Sequence, residues 1–406
     1  MTGQDPIPAA IAAYVQAGEL AGAATLVWRD GQVVHAAAQG WRDREAGEPL
    51  ARDAIFRIAS MTKPITSTAA LMLVEEGAIA LDEPIIRWAP ELAQMRVLRR
   101  ADGPLDDTEP ARRPITFEDL LTHRSGLTYG SFHAGPLAQA YESLGGDIDS
   151  PLTPDAWIAA LAALPLVDQP GAGFHYGCST DLLGFLIARI EGVPLEAVLR
   201  RRIFDPLGMN DTSFTVPVEK RDRRAQMYGF DAAGSLIPRP LGAGGSGALL
   251  AERPAHMAFV SGGAGLWSTL DDYLAFARMF VGQGAVDGVR LLSPGMLSAM
   301  TANHLTEDQR ARGQMMGLPM FTAHGFGLGV AVVLDPDNAA PTRCRGGVGT
   351  VGWPGAYGGW WQADPTDGSV MILLAHNVVD LDQLAMGVGL GVYGAITEFH
   401  ALASRP

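Results

Sequence analysis

The chain has 406 residues and a net charge of −14, from 44 acidic and 30 basic side chains, with a pI near 5.0. That balance argues against nucleic acid or an anionic membrane as a partner, because both demand a basic surface, and it favours a neutral or cationic small substrate. Apolar residues make up 48% and charged residues 18%; this is a globular composition, and no apolar run approaches the roughly 20 residues of a membrane span.

The length exceeds the usual single core, so one large two-lobed domain or two domains are expected. The N-terminal run Met1-Thr2-Gly3-Gln4-Asp5-Pro6 has neither a basic n-region nor an apolar h-region. No export signal is read from it, and a cytoplasmic location is expected. Cys178 and Cys344 are the only cysteines, which excludes a disulfide framework and a cysteine-built zinc site. No His-x-His or His-Glu-x-x-His occurs, so no metal site is expected.

Residues 6–17 predict an amphipathic helix on Ile7, Ile11, Tyr14 and Val15. A hairpin follows, with strands at 23–28 and 33–39 around the turn pair Asp30-Gly31. The next stretch, Ile58-Ala59-Ser60-Met61-Thr62-Lys63-Pro64, sets a hydroxyl and an amine three residues apart. Apolar residues from Ile65 to Leu73 and a stop at Gly77 predict a buried helix opening at Ser60, with Pro64 in its first turn. Positions i and i+3 share a helix face, so Ser60 and Lys63 can meet beside the free N–H groups of the helix start.

A serine hydroxyl is a weak nucleophile until a base takes its proton. A lysine is that base only when neutral, and burial disfavours the ammonium. Arginine does not deprotonate. The chain has 28 arginines and two lysines, Lys63 and Lys220, so a lysine here stands out against the default cation. On this stretch alone a lysine snorkelling from a surface helix remains the alternative.

The Asp-, Arg- and Pro-rich run 99–114 predicts a solvated surface loop or lobe connection. Helical patterns then dominate at 117–122, 154–163, 182–190 and 195–203, the third ended by Gly192. In Gly173-Phe174-His175-Tyr176-Gly177-Cys178-Ser179, Tyr176 stands just before a helix, where a phenol serves as acid or base or else as a core tyrosine. His175 reads as structural, since no recognisable motif pairs it with an Asp. A Gly-rich stretch at 241–247 and Ser261-Gly262-Gly263-Ala264-Gly265 mark a return to sheet, before a helix at 270–280. Residues 301–322, Met-rich at Met315, Met316 and Met320, either cover a cleft or pack.

Strands are expected at 325–334, 358–363 and 370–375, with Asp367-Gly368 as a turn, and a last helix over 381–402. The segment 352–360, Gly-rich around Trp353, Tyr357 and Trp360, allows close backbone approach to a ligand, or is a turn beside core tryptophans. No Gly-x-Ser-x-Gly lies between a strand and a helix, which speaks against an α/β-hydrolase. Sheet segments at both ends around a helical middle imply one antiparallel sheet with packed helices. We expect a sheet lobe of residues 1–59 and 264–406, a mainly helical lobe of 60–263, and a site at their seam.

Phe56-Arg57-Ile58-Ala59-Ser60-Met61-Thr62-Lys63, Leu120-Leu121-Thr122-His123-Arg124-Ser125-Gly126-Leu127, Phe174-His175-Tyr176, Pro206-Leu207-Gly208-Met209-Asn210-Asp211-Thr212 and Trp353-Pro354-Gly355 together resemble the serine β-lactamase-like hydrolases. Within these, the sequence is similar to the family VIII carboxylesterases. The resemblance implies an α+β β-lactamase/penicillin-binding-protein-like fold and a serine esterase acting on short-chain esters. It implies Ser60 as nucleophile, Lys63 and Tyr176 as the proton-transfer pair, the backbone N–H groups of Ser60 and Ala356 as oxyanion hole, and Trp353, Gly355 and Tyr129 as substrate contacts.

No cofactor is implied, and the partner is a small-molecule ester; the oligomeric state is left open. Two departures from the β-lactamase pattern bear on substrate. Tyr-x-Asn becomes Tyr176-Gly177-Cys178, which loses a substrate-binding amide. Lys-Thr-Gly is absent and Trp353-Pro354-Gly355 takes its place, so a cation for a β-lactam carboxylate is expected to be missing. Amide hydrolysis as in D-aminopeptidases, acyl transfer and β-lactam hydrolysis are alternatives for the same site. A non-catalytic binding protein is the alternative from another class.

Overall fold

The computed structural model describes residues 5–239, 259–315, 318–379, 383–384 and 386–405. Its centre is an eight-stranded sheet in which one inner pair of strands joins the two ends of the chain. Strand Gly22–Arg29 runs antiparallel to Ser369–Ala375, with Ala23 opposite Ala375 and Trp28 opposite Val370. On one side follow Gln32–Asp43 and Glu48–Pro49; on the other follow Trp360–Asp364, Val351–Gly352, Ala331–Val333 and His324–Phe326. The Asp30-Gly31 pair makes a two-residue hairpin turn, with φ of 51° and 80°. Positive φ at both positions matches the right-handed twist of the strands it joins.

Side chains alternate across the sheet, and the two faces bury different layers. Ala23, Val27, Met371 and Leu373 face Ile7 and Ile11 of the helix Ile7–Gln16 and Ile396 and Phe399 of the helix Gly391–Ala403. Leu26, Ile372 and Leu374 face the larger core, which holds Met61, Ile65 and Ala69. Trp361 lies in that layer between Tyr273 and Phe280, at ring distances of 5.5 and 5.2 Å. Both belong to the helix Leu270–Val281, whose Thr269 caps the N–H of Asp272.

The helix expected from Ser60 forms as a 3-10 turn, Ala59–Met61, running into an α-helix, Thr62–Glu75. It is sealed at nearly every position, packing against Ser179–Glu191, which Gly192 ends in a left-handed conformation, and against Leu195–Leu199. The middle of the chain supplies further helices at Phe117–Leu121 and Pro154–Ala162.

Three expectations differ. The strand pattern at 325–334 is two strands, because the chain turns back at Gly327 to Gly329. The helix at 195–203 is Leu195–Leu199 followed by a π turn, Arg200–Phe204. The last helix begins at Gly391, after turns from Met386, and part of 381–390 lies outside the described residues. The Gly-rich stretch 241–247 and Met316 also lie outside them. No helix among the described residues is long and apolar enough to cross a membrane.

The approach to Ser60 is fixed from two sides. Phe56–Arg57 pairs antiparallel with Trp267–Ser268, and the Ile58 N–H bonds the Leu266 carbonyl at 3.0 Å. Arg57 is buried against Asp149 at 3.2 Å, both side chains 2% exposed, with the Trp267 ring at 5.5 Å. Removing one partner leaves a buried charge uncompensated, whereas removing both does not. We therefore expect Arg57→Met to cost about 3–5 kcal/mol in denaturant unfolding, and Arg57→Met/Asp149→Leu to recover most of that loss. A double variant no more stable than the single one would refute this.

Candidate active site

Ser60 stands on the 3-10 turn directly after Ala59, whose φ of 45° lies in the left-handed region. A non-glycine residue there costs about 1–2 kcal/mol, and the buried packing of Ala59 with Met227 and Tyr357 holds it in place. Ser60 is 9% exposed and Lys63, one turn on, is completely enclosed.

Three groups surround the Lys63 Nζ: Ser60 Oγ at 3.4 Å, Tyr129 Oη at 3.2 Å and the Gly263 carbonyl at 2.9 Å. The carbonyl only accepts. Tyr129 donates its own proton to Asp181 Oδ2 at 3.3 Å, which leaves its oxygen to accept from the amine. A neutral amine has two hydrogens and one lone pair. In the neutral form that a general base requires, these two acceptors would take both hydrogens and turn the lone pair toward the Ser60 hydroxyl.

Asp181 fixes that orientation. It opens the helix Ser179–Glu191 and accepts from the Ser261 hydroxyl, the Gly263 N–H at 3.1 Å and Tyr129. Burial pushes its pKa up, while Lys63 and these three donors pull it back. Burial, and after it Asp181, raise the Tyr129 phenol well above its ordinary value, so this hydroxyl stays protonated and keeps donating.

Tyr176, expected with Lys63 as the proton-transfer pair, meets it through its ring. The ring face of Tyr176 covers the amine at 4.6 Å, while its hydroxyl accepts from Trp353 Nε1 at 2.9 Å. An indole N–H only donates, so the Tyr176 proton is left for another acceptor. Phe132 stacks on the Tyr176 ring at 6.2 Å and His123 packs at 4.7 Å. Burial, with Lys63 next, holds His123 well below the usual histidine range, so it is neutral.

A Cβ at Gly177 would fall 2.3 Å from the Thr128 backbone and 2.7 Å from the Tyr129 nitrogen. Only glycine lets the two tyrosine-bearing segments touch. Cys178 is buried, and burial pushes its thiol well up.

Gly355 lies against the same turn as Ser60, since a Cβ on it would be 2.5 Å from the Ile58 carbonyl. Its N–H bonds Gly359, in the loop before strand Trp360–Asp364. This sets the backbone of 355–356 beside the free N–H groups of the helix start. The fold thus gathers Ser60, Lys63, Tyr129, Tyr176, Trp353 and Gly355.

His175, expected to lack an acidic partner, has one: Asp168 Oδ2 at 3.1 Å. In 301–322, Gln309 bonds the Gly171 carbonyl at 2.7 Å, and buried Phe321 packs on Phe174 at 4.7 Å. That segment packs on the turn leading to Tyr176.

Sequence reasoning missed Asp181, Ser261 and the Gly263 carbonyl. The available signals were the acidic residue in the first turn after Tyr176 and the Ser-Gly-Gly run. Asp181→Asn tests their importance. The amide would give an N–H to Tyr129, turn the phenol proton toward Lys63 and draw the lone pair away from Ser60. We expect kcat to fall about 10²-fold, as for a small misplacement of a reacting group, with the far-UV spectrum and Tm close to wild type. An unchanged kcat would refute the relay.

The family profile described as Beta-lactamase matches residues 7–385. Protein Rv1367c of Mycobacterium tuberculosis is 46% identical over 376 residues, covering 92% of this chain and 90% of that protein. Esterase EstB of Burkholderia gladioli is 34% identical over 378 residues, covering 89% and 87%. Among solved structures, EstCE1, described as a hydrolase with promiscuous acyltransferase activity, superposes with a TM-score of 0.77 at 28% identity, covering 96% of this chain and 97% of that one. With a profile that spans nearly the whole sequence, a related esterase and the antiparallel sheet with packed helices now described, the chain belongs to the beta-lactamase family, in its family VIII esterase-like branch.

Proposed function

We propose that the protein hydrolyses short-chain carboxylic esters through an acyl-enzyme on Ser60. The observation that carries this reading is the enclosed Lys63 amine, with two acceptors fixed and its third direction open to the Ser60 hydroxyl. Ser60 attacks the carbonyl carbon as Lys63 takes its proton. The N–H groups of Ser60 and Ala356 receive the negative charge that develops on the carbonyl oxygen. Tyr176, its oxygen held by Trp353, gives its proton to the leaving alcohol and regains one as Lys63 deprotonates. Water then attacks the acyl group and the same pair runs in reverse.

Trp353, Gly355 and Tyr129 line the ester. Lobes of residues 1–59 with 264–406 and of residues 60–263 meet at this site, the first bringing Trp353 and Gly355 and the second Ser60, Lys63, Tyr129 and Tyr176.

Esters suit the site better than β-lactams. Trp353 occupies the position of a strand cation, and the buried Cys178 offers no amide for an acylamino arm. A second reading, acyl transfer to an alcohol other than water, is favoured by the acyltransferase activity ascribed to EstCE1. Product analysis with an added alcohol separates the two, since a transferase diverts most of the acyl group to the alcohol at concentrations far below that of water.

The proposal predicts that a fluorophosphonate adds one mass increment, mapped to Ser60, and that Ser60→Ala loses both labelling and turnover of an aryl butyrate. Lys63→Arg keeps a charge but not a proton acceptor, and kcat should fall by about 10²–10⁴ with the fold intact. Tyr176→Phe should lose more than Tyr129→Phe, because only the former removes the proton given to the leaving group. Labelling at Ser125 or Ser179, or a folded Lys63→Arg enzyme of normal turnover, would overturn the assignment.

A further inference from the structure

Arg343 lies on the connection between strands Ala331–Val333 and Val351–Gly352, partly exposed. Its guanidinium is 6.0 Å from the Trp353 ring and 5.9 Å from the Phe321 ring, and one Nη1 N–H goes to the Met320 carbonyl. Among the described residues no Asp or Glu pairs with it. This differs from Arg113, Arg189, Arg202 and Arg223, each of which holds a carboxylate. A guanidinium carries five donors, and none of those left over is among the sealed, unpartnered atoms. Burial holds its pKa below the ordinary arginine value without a carboxylate to offset it. A cation so placed gains more from an anion than one already paired or fully hydrated.

Its position relative to the chemistry gives the anion's place in the substrate. Trp353 donates to the Tyr176 hydroxyl at 2.9 Å, with their rings 5.2 Å apart. Trp353 thus touches both the Tyr176 hydroxyl, the proton donor to the departing oxygen on the ester reading, and the Arg343 guanidinium. On that reading a cation sharing Trp353 with Tyr176 is placed toward the alcohol part of the ester.

We propose that Arg343 forms a carboxylate subsite for the leaving group, so that the preferred substrates are esters of hydroxycarboxylic acids. This rests on the ester-hydrolase reading given above. Planar, bidentate contact from the guanidinium suits a carboxylate. The aromatic walls of Trp353 and Phe321 keep the arginine in place and admit an apolar or aromatic spacer between the ester oxygen and the carboxylate.

The test compares 4-acetoxybenzoate with 4-acetoxybenzamide, which share acyl group and size and differ in charge at the far end. In Arg343→Gln the ratio of their kcat/KM values should fall at least about tenfold, the loss of one charge-assisted contact, with 4-acetoxybenzamide turned over at close to the wild-type rate. Arg343→Lys should retain part of the preference. Binding of the product 4-hydroxybenzoate, measured by calorimetry against 4-hydroxybenzamide, should weaken by a similar factor in Arg343→Gln. An unchanged ratio, or equal losses for both esters, would overturn the subsite while leaving the hydrolase reading in place. Arg343-dependent binding of 4-hydroxybenzoate by a wild-type protein that cleaves neither ester would uphold the subsite and overturn the hydrolase reading.

Discussion

The Lys63 amine is completely enclosed, and each hydrogen it carries needs an acceptor, because an unsatisfied buried donor costs about 1–3 kcal/mol. Those acceptors come from distant parts of the chain. The Gly263 carbonyl is 200 residues away and the Tyr129 hydroxyl 66. To bring them in, the 261–268 run is laid beside the strand before Ser60, and the helix Ser179–Glu191 presents Asp181 at its first turn. Satisfying one amine thus places the serine, both tyrosines and the buried carboxylate relative to one another.

The short-range features were legible in the sequence because their physics is local. The i, i+3 spacing brought Ser60 and Lys63 together, and Asp30-Gly31 supplied the two positive φ values its hairpin needs. The sheet joining both ends of the chain followed from where the strand patterns fell. The continuous strand at 325–334 was misread because apolar residues fill both arms of a turn, and Gly329, with φ of 98°, looks in sequence like any strand glycine. The Gly263 carbonyl was illegible for a deeper reason: every residue carries one, and only tertiary placement makes one of them a partner of Lys63. For the same reason no spacing shows that Tyr129 offers its oxygen to Lys63 and Tyr176 its ring face, an arrangement in which Gly177 packs on the Thr128 backbone.

Ala59 shows where the fold stores strain. Its left-handed backbone precedes a helix whose first N–H groups have no internal acceptor, and turning the chain there exposes the Ser60 hydroxyl at the rim while Lys63 goes inside. Glycine would reach the same φ more easily. It would also loosen the turn in the unfolded and folded chain alike, and the buried contact of Ala59 with Met227 and Tyr357 would be lost. Strain of this kind persists where the surroundings over-determine the conformation.

Charge gives opposite answers at two length scales. The net −14 of the chain favours neutral or cationic substrates, and the sequence placed no cation at the strand position held by Trp353. At physiological ionic strength, however, a field from exposed charges decays over about 8 Å, so most of that negative surface is not felt inside the site. On the proposed reading an ester bound there would meet Lys63, held by the Gly263 carbonyl, and the guanidinium of Arg343 beside Trp353. With 28 arginines in the chain, no spacing marks Arg343 out. Its distinction is the aromatic setting beside Trp353 and the lack of a carboxylate partner among the described residues, both properties of the folded chain. On the proposed ester reading the guanidinium of Arg343 would then bear on which esters are held, while the global charge acts only on the approach.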